Sequence, residues 1–362
     1  MIEKLKEMNQ FKGRDKKLKA VSYAILAALL YGISSPVSKV LLVEIPPTLM
    51  AALLYLGAGI GMIGINLYSI LAKREQLEAK MTAKEMPFIL GMILLDIVAP
   101  IFLMIGLTMT TSSNASLLNN FEIVATCLIA LFIFKETIGK RMWIAIMLIT
   151  ISSIILSVSD LSSLSFSLGS IFVLLACIAW GFENNCTRML SLKDPIQIVV
   201  VKGFGSGLGS LIISFALHES NFNWLYILFT LLLGFVAYGM SIFLYIKAQR
   251  ELGAARTSAF YATAPFIGVI ISWIVLQEPI TATFVIALTI MLVGTYFTVS
   301  EDHKHSHVHS AEIHEHKHNH YDGHHNHTHD YETKIEHSHE HTHEIIEHIH
   351  THLPDLHHRH LH

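Results

Sequence analysis

The chain has 362 residues, of which 52% are hydrophobic and only 15% charged, against about 25% charged in soluble domains. The formal charge of −3 divides into +5 before residue 301 (21 Lys+Arg against 16 Asp+Glu) and −8 from residue 301 onward (4 against 12). An acidic, histidine-laden end favours cations and excludes a phosphate-backbone binder.

The first segment, Met1 to Lys19, is polar and lacks the layout of a cleaved signal peptide. Apolar runs of about 20 residues then recur, the length that crosses a hydrocarbon core of about 30 Å. They fall at 20–42, 48–72, 86–109, 113–134, 141–158, 168–190, 196–217, 224–247, 256–276 and 281–299. The joints carry Pro46-Pro47, Thr110-Thr111-Ser112-Ser113, Asp194-Pro195 and Pro279. No stretch of these runs alternates with period two, which argues against a barrel. The expected fold is therefore an all-α integral membrane protein with ten transmembrane helices.

Basic residues orient the spans. Lys4 to Lys19 precede the first; Lys73, Arg74, Lys80 and Lys84 follow the second; Lys135, Lys140 and Arg141 follow the fourth. Arg188 and Lys193 close the sixth, and Lys247, Arg250 and Arg256 separate the eighth from the ninth. The opposite loops, 43–47, 110–112, 159–167, 218–223 and 277–280, hold no Lys or Arg. Both termini are expected in the cytoplasm of a cell bounded by this plasma (inner) membrane.

The halves echo each other. Tyr31-Gly32, Lys39 and Pro46 match Trp180-Gly181, Arg188 and Pro195 at an offset of 149, and Lys135-Glu136-Thr137-Ile138 matches Gln277-Glu278-Pro279-Ile280 at 142. Five spans per repeat is an odd number, so the second copy (168–300) would enter the bilayer inverted with respect to the first (20–158). Inverted repeats place a substrate site near the midplane between the halves.

The aromatic-Gly openings resemble those of EamA-type transporters of the drug/metabolite transporter superfamily. So do the fourth-helix patterns Asn114-Ala115-Ser116-Leu117-Leu118-Asn119-Asn120-Phe121-Glu122 with Phe134-Lys135-Glu136, and Ala255-Arg256-Thr257-Ser258-Ala259 with Ala264-Pro265-Phe266 and Glu278. The resemblance covers residues 20–300 and implies an exporter of amino acids, nucleobases or other small metabolites. It departs where the fourth helix often has proline, because this chain has Glu122-Ile123.

An ionisable group at the bilayer centre costs at least about 2.5–3.5 kcal/mol, so each raises a functional question. Asp96, Glu122, Glu183 and Lys202 fall in spans three, four, six and seven. Asn119, Glu122 and Thr126 share one helical face by spacing, and Trp180, Glu183, Asn184 and Thr187 share another. Glu122 and Glu183 are expected to face a common cavity, binding an amino group or carrying a coupling proton. The plainer alternative pairs either one with Lys202 or Asn185 to stabilise packing. Asp96, Asn119, Asn184, Trp180, Lys202 and Tyr261 complete the candidate site. Tyr238, Tyr245 and Tyr261 suit packing as well as a cavity wall. Lys39 and Arg188 suit snorkelling, Glu136 and Glu278 suit helix ends, and Gly203, Gly205, Gly207 and Gly209 suit close helix approach. Cys127, Cys177 and Cys186 lack CxxC spacing and read as small buried hydrophobes. No HExxH, nucleophile elbow or Ser/His/Asp order occurs, so an enzyme is not expected and no cofactor is required.

The tail, 301–362, holds 23 of the 24 histidines, leaving only His218 outside it. Candidate ligands for Ni, Zn, Co or Cu are His303, His305, His307, His309, His314, His316, His318, His320, His324, His325, His327, His329, His337, His339, His341 and His343. The segment has too few apolar residues for a core and is expected to be disordered without metal. Four readings of the tail and its host stay open: a metal buffer or sensor on a metabolite exporter, a feed for Ni, Co or Zn efflux, a neutral extension, or a non-transporting membrane-anchored metal buffer. Expected partners are the lipid bilayer, a small molecule and divalent metal; a homodimer stays open.

Overall fold

The computed structural model describes residues 18–72, 80–134, 138–160, 165–190, 193–221, 223–252, 257, 260–299, 304–308, 313–319, 336–342 and 347–351. Eight described helices are long and apolar enough to cross a membrane: α1 (Leu18–Leu41), α2 (Pro47–Leu71), α3 (Ala83–Met109), α4 (Ser112–Ile133), α5 (Lys140–Ser157), α6 (Leu168–Leu190), α7 (Pro195–Ala216) and α8 (Trp224–Ala248). Two shorter apolar helices follow, α9 (Ala264–Leu276) and α10 (Ala282–Thr298). The first eight start and stop within three residues of the expected spans. Span nine differs, because its described helix begins only at Ala264.

Local chemistry sets the helix starts. Pro47 and Pro195 occupy first-turn positions where a missing N–H costs nothing. Asp194 caps α7 by accepting from Ile196 N at 2.9 Å, and Thr82 with Glu85 forms a capping box ahead of α3. Large apolar side chains such as Leu67, Leu94, Ile212, Phe215 and Ile274 face outward and more than half exposed. That surface is suited to lipid, where only internally bonded backbone can sit.

The closest packing joins α3 to α6, α2 to α7 and α5 to α10, each pair drawing one helix from either half of the chain. Glycines permit it. A Cβ at Gly203 would meet Gly59 N and Tyr55 O of α2, whereas Cβ atoms at Gly205 and Gly209 would meet Ile93 and Ile97 of α3. The alternating glycines thus seat α7 between two helices, as the sequence reading expects.

Two spans are irregular where the sequence reading has continuous helix. α4 consists of Ser112–Leu118 and Phe121–Phe134, interrupted at Asn119-Asn120. The residues ahead of α9 turn at Ala262-Thr263. These interruptions lie about 142 residues apart, the offset that relates Glu136 to Glu278. Asn-Asn competes for its own backbone, and Pro265, in the first turn of α9, has no N–H with which to continue the preceding helix. In α8, Gly234–Met240 is wound as a π-helix.

Short strands β1 (Val158–Asp160) and β2 (Ser165–Phe166) pair after α5. Four short strands are described in the tail. β3 (Lys304–Val308) pairs antiparallel with β6 (Glu347–Thr351), and β4 (Ile313–Asn319) with β5 (Glu336–Thr342). The registers set His305 opposite His350, His307 opposite His348, His314 opposite His341, His316 opposite His339 and His318 opposite His337. A ligand at every second residue is the periodicity of a strand. His303, His309, His320, His324, His325, His327, His329 and His343 lie outside the described residues, as do Glu136 and residues 1–17.

Candidate functional site

Four helices bring one ionic cluster together. Lys202 of α7 places Nζ 2.9 Å from Glu183 Oε1 of α6 and 3.1 Å from Asp96 Oδ2 of α3. Tyr55 of α2 donates its hydroxyl to Asp96 Oδ1 at 2.8 Å, and Thr187 donates to Glu183 Oε1 one turn along α6. Asp96 is wholly buried, and Glu183 and Lys202 nearly so. The Lys202–Asp96 contact is ionic in distance, yet Asp96 Oδ2 accepts no hydrogen bond. Two carboxylates around one ammonium sum to −1 when all are ionised. Such a charge in a low-dielectric interior is costly and draws a proton or cation.

A second polar layer surrounds Glu122, which opens the second half of α4. Asn184 of α6 donates Nδ2 to Glu122 Oε1 at 2.6 Å and lies 3.2 Å from Thr126 Oγ1. Gly181 lets α6 lie this close, since a Cβ there would meet Ala125 Cβ at 2.7 Å. Glu122 also lies within electrostatic reach of Glu183 and Lys202. Four tyrosines pack on one another elsewhere in the bundle interior. Tyr31 stacks on Tyr261 at 5.5 Å and meets Tyr238 edge-on at 6.0 Å, and Tyr245 meets Tyr261 at 4.9 Å. Ser34 donates to the Tyr238 hydroxyl at 3.2 Å, and the Ser241 and Tyr261 hydroxyls lie 3.3 Å apart.

The candidate residues therefore separate. Glu183 pairs with Lys202, the plainer of the two sequence readings, and Asp96 joins them. Glu122 and Thr126, on one face by spacing, converge on Asn184. Asn119 lies in the interruption of α4, buried, where its carbonyl accepts from Glu122 N at 3.1 Å and its oxygens lie 4.0 Å from Cys177 Sγ. Trp180 packs into the apolar core, and Tyr261 stands in the tyrosine group. Cys177 is buried and Cys127 and Cys186 are half-buried, all three outside any disulfide. Among the described residues, no three of His, Cys, Asp and Glu are grouped to hold a metal.

Sequence reasoning missed Tyr55 as a partner of Asp96, and Ser34 and Tyr31 as partners of Tyr238. A signal existed for one of them: Ser34 plus the repeat offset of 149 is Glu183. It also missed a latch at the end of the bundle that the charge rule places outside. Glu278, just after α9, accepts from Ser112 N at 2.7 Å and Ser113 N at 2.8 Å and from the Ser113 hydroxyl, at the start of α4. Lys39 does not snorkel freely, because its ammonium donates to the carbonyls of Leu107 and Thr110 at the end of α3. Glu219 accepts from Leu49 N at 2.9 Å, and Asn221 donates to Glu44 O at 2.8 Å.

The EamA-like transporter family profile matches this chain twice, over residues 18–158 and 167–300. The chain belongs to the EamA-like transporter family. A relative from Methanothermobacter thermautotrophicus, described as an uncharacterized transporter, is 28% identical over 286 residues, spanning 75% of this chain and 83% of the relative. A solved crystal structure, 15% identical, superposes with a TM-score of 0.54 over 77% of this chain and 95% of the other, and shares the fold alone. The chain is thus a multi-pass membrane transporter rather than an enzyme, with Asp96, Glu122, Glu183 and Lys202 inside its spans.

Proposed function

We propose that the chain exports small organic metabolites across the plasma membrane by alternating access, coupled to protons. One observation carries this reading: ionisable side chains from α3 in the first family unit and from α6 and α7 in the second meet in one buried cluster of unbalanced charge. An unbalanced carboxylate at membrane depth is the chemistry of a proton carrier. The reading has ten spans in two inverted five-helix repeats, 20–158 and 168–300, supported by the two family matches, with both termini cytoplasmic, supported by the basic loops. The paired interruptions of α4 and of the segment before α9 support it, since broken helices at matching positions mark substrate sites in inverted-repeat transporters. Export rather than import follows the habit of the family.

The tail is a cytoplasmic metal-binding appendage for Ni, Zn, Co or Cu. Its strand registers set histidine opposite histidine, which favours shared sites whose affinity falls as imidazoles protonate near pH ~6.5. That same pairing supports a second reading, metal efflux fed by the tail.

Cell metal and released metabolites decide between the two. Cells carrying vector, full-length protein, a chain ending at Ser300, or Glu122→Gln are grown with Ni, Co or Zn. The proposal expects metal level with vector or higher only when the tail is present, together with metabolites in the medium that Glu122→Gln abolishes. Metal driven below vector by full-length protein, and restored by Glu122→Gln, would overturn it in favour of metal efflux.

A further inference from the structure

The two carboxyls of the buried cluster share its donors unequally. Glu183 Oε1 accepts from Lys202 Nζ at 2.9 Å and from the Thr187 hydroxyl. Asp96 accepts one neutral donor, the Tyr55 hydroxyl, at Oδ1. Its other oxygen, Oδ2, is buried and accepts no hydrogen bond, although Lys202 Nζ lies 3.1 Å away. Pro100, one turn on within α3, has no N–H to return to the Asp96 carbonyl. Acceptors therefore outnumber donors around Asp96, and one hydrogen is what the arrangement lacks.

Hydrogen bonds to a carboxylate favour its charged form, and an ammonium donor favours it most. Glu183 has that donor and a hydroxyl as well, so Asp96 is the better home for a proton that brings the cluster from −1 to zero. Tyr55 from α2, Glu183 from α6 and Lys202 from α7 surround Asp96, with Cys186 of α6 and Tyr238 of α8 within electrostatic reach.

We infer that Asp96 Oδ2 is the seat of the coupling proton, with Tyr55 as its positioning residue and Lys202–Glu183 as a lasting charged pair. The inference rests on the proton-coupled reading and names the atom. Loading forms an Oδ2–H bond and turns the carboxylate into a carboxylic acid. Release breaks that bond and returns the cluster to −1, with Lys202 an ammonium throughout and no electron transferred. At 3.1 Å, Lys202 is close enough to turn an N–H towards the bared Oδ2. The Tyr55 ring packs against Tyr238 at 5.4 Å, which holds its hydroxyl in place over Asp96.

The test is difference infrared spectroscopy of full-length protein in nanodiscs, with aspartate isotope-labelled at the side-chain carboxyl. The expected result is a protonated-carboxyl C=O band at neutral pH that shifts with the label. It should vanish in Asp96→Asn, and also in Glu183→Gln, where Lys202 and Asp96 balance without a proton. Tyr55→Phe keeps the ring and removes the donor, and covers the case in which Asp96→Asn fails to fold. Losing a bond to the charged form holds the proton tighter, so the pH at which half the band disappears should rise by about one to two units. An unmoved midpoint would overturn the role of Tyr55, which packing alone would then explain. No label-shifted band, or one that survives Asp96→Asn, would overturn the Asp96 seat. Solute accumulation by native protein in proteoliposomes on a pH gradient would in that case keep the proton-coupled reading standing. No such accumulation would overturn that reading and this inference with it.

Discussion

Two places in the bundle occupy corresponding positions in the repeats and differ in chemistry. Ser34 of α1 and Tyr238 of α8 share a neutral hydrogen bond at 3.2 Å. Adding 149 to 34 gives Glu183, and subtracting 142 from 238 gives Asp96. These are the offsets that relate Tyr31-Gly32 to Trp180-Gly181 and Glu136 to Glu278. At the second place, then, two carboxylates stand where the first has a hydroxyl and a phenol, and Lys202 fills the space between them. Duplication supplies the scaffold, and divergence of a few side chains puts the charge on one side only. A site able to hold a proton needs that asymmetry, because two neutral hydroxyls carry none.

The largest expected effect breaks the charged member. Lys202→Met leaves two buried carboxylates facing each other and should cost about 3–5 kcal/mol of stability, read as thermal unfolding in detergent. A variant as stable as the native protein would show that water or another cation already balances the cluster.

The close approach that puts Lys202 there is the next target. Gly203→Leu forces a side chain into the backbone of Gly59 and Tyr55, with an expected loss of about 1–3 kcal/mol. Gly64, where a Cβ would meet nothing within 4 Å, gives the control: Gly64→Ala should cost nothing measurable in the same melt.

Smaller still is the latch at one end of the bundle. Glu278→Gln keeps the shape but removes the charge facing the N–H groups of Ser112 and Ser113, with an expected cost of about 0.5–2 kcal/mol. Faster labelling of a cysteine at Ser113 in that background would report a loosened end. The neutral pair is the weakest: Ser34→Ala removes one hydrogen bond worth about 0.5–1.5 kcal/mol and should leave proton coupling intact. Loss of coupling in Ser34→Ala would erase the contrast between the two places.

The spans were legible because a 20-residue apolar run has few alternatives in water or lipid, and the proline and Asp194-Pro195 joints mark their ends. The pairing of Glu183 with Lys202 was legible as an alternative, because buried opposite charges seek each other. What one sequence hid was tertiary. Tyr55 reaches Asp96 only because glycines on α7 draw α2 inward, and no local pattern in α2 announces it. The interruption of α4 hid behind a strong apolar period, although Asn119-Asn120 and, in the second half, Ala264-Pro265 carried its signal. Glu278 was placed at a helix end, but its three donors at Ser112 and Ser113 come from the other family unit.

The central claim is that Asp96, Lys202 and Glu183 carry the coupling proton while solute occupies the Glu122 layer. The most direct measurement compares native protein, Glu183→Gln and Ser34→Ala in proteoliposomes loaded with labelled solute, with and without an imposed pH gradient. The account predicts that Glu183→Gln still exchanges solute for solute but no longer concentrates it on the gradient, whereas Ser34→Ala does both. Gradient-driven accumulation by Glu183→Gln at the native rate would contradict it.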